Sequence, residues 1–393
     1  MRKYLYFPLL VLVVLVGLSG AVIAQDDGEL PVFDDLVAGE WNSISPGEDT
    51  VCLYDTDYQF FVRPAEEPTE DLMIYFEGGG ACWNDGTCSA VGQFASRYDV
   101  PDTLMDNYND GFFEFDNPAN PVADYNVVFV PYCSGDVHSG SSDFVDYENI
   151  DVNYNGVDNA QAVLDWTYEN FTAPDDVFVT GCSAGGYGAT YHAPFVMENY
   201  PDNRVVHLAD AATGVTPMGW DGYNQWDIFS GLPEFVEDLD EATIDTYSNN
   251  LSTIASANAF PNNVFAQYNT FIDEVQVAFY GIIIGEPALD EASFVALAQE
   301  WSPALIDNLT EISTSTDNFF SYTAGGTLHC ITGLPELYTY AYDGLTVADW
   351  VDSLLTGDAM SDVSCDVVTG ECLTAPSDDM DMDEDAEEAD DEG

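Results

Sequence analysis

Apolar positions along the chain fall into short runs that alternate with longer segments of helical period. Tyr58–Val62, Leu72–Phe76 and Asn126–Tyr132 are compact apolar runs rich in Val and Phe, and they predict strands, the last two buried on both faces. Val177–Thr180, Arg204–Ala209 and Val264–Ile272 predict three more. Between and after them, Asn159–Tyr168, Ala184–Asn199, Ile254–Asn258 and Thr346–Leu355 carry apolar residues at helical spacing. Strands alternating with helices imply an α/β fold with a mostly parallel central sheet flanked by helices. No internal repeat is visible, and residues 25–376 are expected to form one large domain. Residues 211–258 interrupt the alternation and hold Trp220, Tyr223, Trp226 and Phe229 among polar residues. This is the pattern of a helical cap inserted over a site, or of ordinary packing helices.

Both ends differ from the middle. Arg2 and Lys3 precede the apolar run Leu9–Leu18, and Val22 and Ala24 occupy the small-residue positions before Gln25. Residues 1–24 are therefore expected to be a cleaved signal peptide, the apolar run being near the lower limit for a membrane span. That predicts a secreted protein, extracellular or periplasmic, with no membrane attachment after cleavage. Residues 377–393 contain eleven acids and no large apolar group but Met, so a disordered acidic tail is expected there.

Charge narrows the partners. The whole chain has 72 acidic and five basic residues; past the leader only Arg63, Arg97 and Arg204 remain, for a net −69. Nothing on such a chain can neutralise phosphates, which excludes nucleic acid. The self-repulsion opposes compaction in dilute salt, and a saline, acidic or calcium-bearing medium would relieve it. Eight cysteines suit an oxidising compartment. Cys82 with Cys88 and Cys365 with Cys372 are close enough in sequence for local bridges, while Cys52, Cys133, Cys182 and Cys330 have no pairing readable from spacing. Cys-x-x-Cys is absent, so the cysteines read as staples rather than metal ligands, and no cofactor or metal is expected.

Candidate chemistry begins at Gly181-Cys182-Ser183-Ala184-Gly185. A predicted strand runs into this Gly-x-Ser-x-Gly segment and a predicted helix leaves it, the context of a nucleophile elbow, in which side chains at the glycine positions would clash. The helix N-terminus also favours developing negative charge near Ser183. A serine nucleophile needs a base. His138 precedes the serine; His192 lies on the same predicted helix; His207 sits inside an apolar strand; by elimination the base is His329, in a loop after Phe319–Tyr322. In chain order the acid lies between Ser183 and His329, and Asp273 at the end of the later strand leads, with Asp210 as the fallback. Gly78-Gly79-Gly80 follows the buried strand Leu72–Phe76, the place for a loop whose N–H groups stabilise an oxyanion, with the Ala184 N–H completing the hole.

Five stretches, Phe76–Asn84, Tyr132–His138, Gly181–Gly186, Phe271–Gln276 and His329-Cys330, together resemble the pectin acetylesterase family, which also contains the animal carboxylesterase Notum. The resemblance implies an α/β-hydrolase with a Ser183, Asp273, His329 triad and an oxyanion hole from Gly78, Gly79 and Ala184. It also implies hydrolysis of acyl esters, acetyl esters first among them. Gly80 stands where Notum has a bulky tryptophan, so the resemblance brings no lipid pocket with it. His138 is no triad member in the family; it lines the pocket or holds its own loop, the second being favoured. Acetylated pectin is a polyanion that this chain should repel, so an uncharged acylated glycan or a small acyl ester is the easier substrate. A secreted polyester depolymerase or lipase-like carboxylesterase, and a catalytically inactive surface-binding protein, remain open alternatives. Oligomeric state is not readable.

Overall fold

The computed structural model describes residues 30–376 apart from 48, 90–98 and 343. The expected signal peptide, 1–24, and the acidic tail, 377–393, lie outside the described residues.

A nine-stranded sheet organises the chain. Its strands are β1 (Asn42–Ile44), β2 (Phe60–Arg63), β3 (Leu72–Phe76), β4 (Asn126–Val130), β5 (Val177–Cys182), β6 (Val205–Asp210), β7 (Val264–Thr270), β8 (Phe319–Ala324) and β9 (Val363–Ser364). The spatial order is β1-β2-β4-β3-β5-β6-β7-β8-β9. From β4 to β9 every neighbouring pair is parallel, while β1 and β2 add an antiparallel edge. Every residue of β3 and β4 is buried, which is why both read as unbroken apolar runs.

Helices cover the faces: α1 (Gly156–Asn170), α2 (Ala184–Asn199), α3 (Asn249–Ala259), α4 (Glu274–Ile283), α5 (Glu291–Ser315) and α6 (Val347–Thr356). The predicted helix at 184–199 and the strand at 72–76 have their observed bounds, whereas β5 continues two residues past Thr180, to Cys182. At the end of the 211–258 segment, α3 packs against α2 and α5 and so belongs to the main helical layer. The rest of that segment is short helices, Gly222–Trp226, Ile228–Gly231 and Glu237–Asp240. Among the described residues no helix is long and apolar enough to cross a membrane.

Four disulfides staple this body: Cys52–Cys133, Cys82–Cys88, Cys182–Cys330 and Cys365–Cys372. The two local bridges are those expected from spacing. Arg204 donates to the carbonyls of Leu354 and Leu355, closing the end of α6 with a cation where the helix dipole is negative.

Candidate active site

Ser183 stands between β5 and α2 with φ 57° and ψ −123°, a backbone conformation that non-glycine residues rarely adopt. Its N–H donates to the Asp210 carbonyl at 2.8 Å, and its own carbonyl accepts from Gly186 at 2.9 Å. The flanking glycines are required by contact: a Cβ on Gly185 would run into the Phe76 carbonyl, and one on Gly181 into the carbonyls of Gly185 and Phe76. Close approach of β3 to the turn therefore forces the Gly-x-Ser-x-Gly pattern.

Asp273 caps the N-terminus of α4, accepting from the Val275 and Gln276 N–H groups at 3.0 and 2.8 Å. The same fully buried carboxylate meets His329 Nδ1, 2.9 Å from each oxygen, and accepts from Gln276 Nε2 at 3.0 Å. Backbone bonds from Ile272 to Gly326 and from Glu274 to Thr327 lock the histidine loop onto this segment. Burial pulls the His329 pKa down, but the hydrogen bond and charge of Asp273, with Asp210 and Glu274 behind it, leave it above the usual 6.5. The other three histidines are buried and neutral: desolvation lowers His138 to about 3, His192 to about 4 and His207 to about 3.

Asp210 does not touch the His329 ring. One oxygen of its buried carboxylate accepts from the N–H groups of Ile331 and Thr332 and from the Thr332 hydroxyl, at 2.7 to 2.8 Å. Burial raises its pKa to about 6 against the pull of those donors. Just beside it, the Cys182–Cys330 bridge joins the residue before Ser183 to the residue after His329. Both sulfurs and the His329 ring lie within 4.8 Å of one another, but disulfide sulfurs offer no thiolate to a metal.

The glycine loop lies against the elbow. A Cβ on Gly78 would press on the Cys182 carbonyl and come within 3.3 Å of the Ser183 Cβ. Among the described residues the N–H groups of Gly78 and Gly79 find no acceptor in the chain. Ser183, His329 and Gly80 line two cavities that meet at the serine. One, of about 690 Å³ including its opening, is walled by Trp83, Trp220, Trp226, Phe279, Ile283 and Trp301, with Ala184 at its inner end. The other, about 960 Å³ on the same measure, runs along Gly78, Gly79, Tyr75, Tyr108 and Leu334. Among the described residues neither is lined by Arg or Lys.

The structure thus brings Ser183, Asp273, His329, Gly78, Gly79 and Ala184 to one place. His138 lies beneath it; Val137, not His138, lines the apolar cavity. That cavity was not foreseen. Gly80 supplies no tryptophan, yet four arrive from three separate segments of the chain, Trp83, Trp220 with Trp226, and Trp301. Phe279 and Ile283 come from the run Val277–Ile284 behind the Asp273 cap, a helix-start signal present in the sequence.

Serine, carboxylate and histidine following the parallel strands β5, β7 and β8 in that chain order is the arrangement of the α/β-hydrolase fold, and this chain has that fold. Residues 44–312 match the profile of the pectinacetylesterase family. Palmitoleoyl-protein carboxylesterase NOTUM of Schmidtea mediterranea is 29% identical over 136 residues, 33% of this chain and 25% of that protein. The human protein of that name is 29% identical over 153 residues, 35% of this chain and 29% of its own length. The chain thus spans between a quarter and three tenths of these curated relatives. The solved structure of the Wnt deacylase Notum from Drosophila superposes with a TM-score of 0.58 at 15% identity, covering 81% of this chain and 94% of that one, a likeness of fold. The chain belongs to the pectin acetylesterase family.

Proposed function

We propose that the protein is an exported serine esterase that cleaves acyl esters of uncharged alcohols through Ser183, His329 and Asp273. The observation that carries this reading is the pairing of His329 Nδ1 with the Asp273 carboxylate at the edge of a cavity that Ser183 also lines. In the reaction, Ser183 Oγ adds to the ester carbonyl while its proton passes to His329 Nε2. Asp273 holds the Nδ1–H and stabilises the imidazolium. The N–H groups of Gly78, Gly79 and Ala184 receive the negative oxygen. Collapse expels the alcohol with the proton from His329, and water activated by the same histidine then releases the acid from Ser183.

The apolar cavity suits the acyl group and the broader one the alcohol. The apolar cavity's lining of Trp83, Trp220, Trp226, Phe279, Ile283 and Trp301 offers more apolar surface than an acetyl group can cover, so acyl chains longer than acetyl are expected to be accepted. The relatives' name, palmitoleoyl-protein carboxylesterase, points the same way. Residues 211–248 act as a cap, since Trp220, Tyr223 and Trp226 roof the acyl side. With no Arg or Lys among the described residues of either cavity and a net charge of −67 on the whole chain, polyanionic substrates are disfavoured. Four disulfides support export.

The test is a p-nitrophenyl ester series from acetate to decanoate, run with the Ser183→Ala variant and a fluorophosphonate probe. Turnover should fall on the order of 10³-fold or more in the variant, and the probe should label only the parent. More than about a tenth of the activity surviving in Ser183→Ala would end the assignment. A preference for acetate over every longer ester would remove the acyl role of the cavity.

A further inference from the structure

His138 is used by no step of this chemistry, yet the structure goes to some length to hold it. It is buried, and both it and Val137 adopt left-handed backbone, φ 61° and 53°, a cost for any non-glycine residue and a high one for a β-branched valine. Its ring lies edge-on to Phe76 at 5.2 Å and against Tyr132 at 4.7 Å. Helix α2 is bare at Gly188 to admit it, since a Cβ there would lie 2.7 Å from the imidazole. Strain of this kind persists only where the surroundings over-determine it.

Two hydrogen bonds show what the ring holds. His138 Nε2 stands 2.8 Å from the Glu77 carbonyl oxygen, which can only accept, so Nε2 carries the proton. In turn the His138 carbonyl accepts from His192 Nε2, at 2.7 Å, on the helix that Ser183 begins. The Glu77 carboxylate is fixed as well, accepting from the Tyr132 N–H and the Tyr108 hydroxyl, each at 2.8 Å. Glu77 immediately precedes Gly78, and the peptide between them is planar and trans. In such a unit the C=O and the N–H point in opposite directions. A carbonyl drawn down onto His138 therefore turns the Gly78 N–H up, toward the cavity that Ser183 lines, where no acceptor among the described residues meets it.

We propose that His138 is a positioning residue for the oxyanion hole: it anchors the Glu77–Gly78 peptide so that the Gly78 N–H faces the ester oxygen at Ser183. The two imidazoles register the glycine loop against the nucleophile helix, carrying alignment from His192 through His138 to Gly78. Both stay neutral throughout the range where an esterase with a histidine base works. This inference rests on the Ser183 esterase reading, so Ser183→Ala is run alongside it.

The experiment compares His138→Leu, which fills space without a donor, with His138→Gln, whose amide nitrogen can reach the Nε2 position. Each is assayed on p-nitrophenyl butyrate and for inhibition by an alkyl trifluoromethyl ketone, whose serine adduct places an oxyanion in the hole. His138→Leu should lower kcat about 10- to 100-fold with KM nearly unchanged, the range for loss of an oxyanion donor or its alignment. It should weaken the ketone by a similar factor, and His138→Gln should recover most of both. Should the leucine variant not fold, His138→Asn, whose amide stops short of Glu77, takes its place with the same expectation. Loss of melting temperature with kcat and ketone affinity within threefold of the parent would overturn the proposal, as would equal losses in the donor and non-donor variants. Activity surviving in Ser183→Ala would instead overturn the esterase assignment beneath it.

Discussion

Replacing both Cys182 and Cys330 by alanine opens the longest closed loop among the four bridges, the two lying 148 positions apart in sequence. No other bridge lies within that stretch. In the chain-entropy view a bridge of this span removes about 17 cal/mol/K from the unfolded ensemble, or about 5 kcal/mol at 25 °C. Cys365–Cys372, separated by seven, should contribute only about 2.4 kcal/mol on the same basis. Unfolding entropy for a chain of this size is on the order of 0.7 kcal/mol/K, which converts the two losses to shifts of about 7 °C and about 3 °C in Tm. Scanning calorimetry on the two double variants, at one protein concentration and in one buffer, reads the difference directly. Activity is read on the same samples, because Cys182 adjoins Ser183 and Cys330 adjoins His329. The long-bridge variant should lose on the order of tenfold in kcat at temperatures where it is fully folded, through slackened placement of nucleophile against base. The short-bridge variant should keep its kcat. Equal Tm shifts, or a larger one from the short bridge, would refute the entropic reasoning, and an unchanged kcat in the long-bridge variant would refute the positional one.

The remaining tests bear on protons and charge. Because Asp273 raises the His329 pKa above 6.5 and the base must be neutral, kcat/KM should fall as pH drops through a midpoint above 6.5. Asp273→Asn removes the raising partner and leaves the lowering effect of burial, so that midpoint should move to lower pH while turnover falls on the order of 10³- to 10⁴-fold. Asp210→Asn should cost much less; a greater loss there than at Asp273 would exchange their roles. Added salt should raise Tm by screening self-repulsion, and hydrolysis of acetylated pectin should depend on salt or calcium far more than hydrolysis of an uncharged ester. Efficient deacetylation of pectin in dilute buffer without divalent cations would show that electrostatics is not limiting.

Much of the architecture was legible because its signals are local. A strand buried on both faces is an unbroken apolar run, hence Leu72–Phe76; an elbow needs glycines at fixed offsets, hence Ser183. Elimination reached His329 since only four histidines exist, and the structure pairs it with a carboxylate after β7. Helix α5 left a weaker trace, with Pro303 interrupting its apolar period. The aromatic cavity left only a partial one, Trp220, Tyr223 and Trp226 in the candidate cap, because its other walls come from segments as far apart as Trp83 and Trp301, each of which reads alone as ordinary core. Cys52–Cys133 and Cys182–Cys330 were illegible for the same reason: pairing over 81 or 148 residues is decided by the sheet order, not by spacing.

Asp210 belongs at once to both halves of the site. Its carbonyl accepts from the Ser183 N–H, and its carboxylate accepts from Ile331 and Thr332, just past His329. Serine and histidine are thus referred to a single residue at the end of one strand, in addition to the Cys182–Cys330 bridge between their neighbours. A shift of β6, through thermal motion or a repacked neighbour, would carry both groups in the same direction. The pair is thereby mounted at one point of the sheet, and changes in the helices around it would reach serine and histidine together.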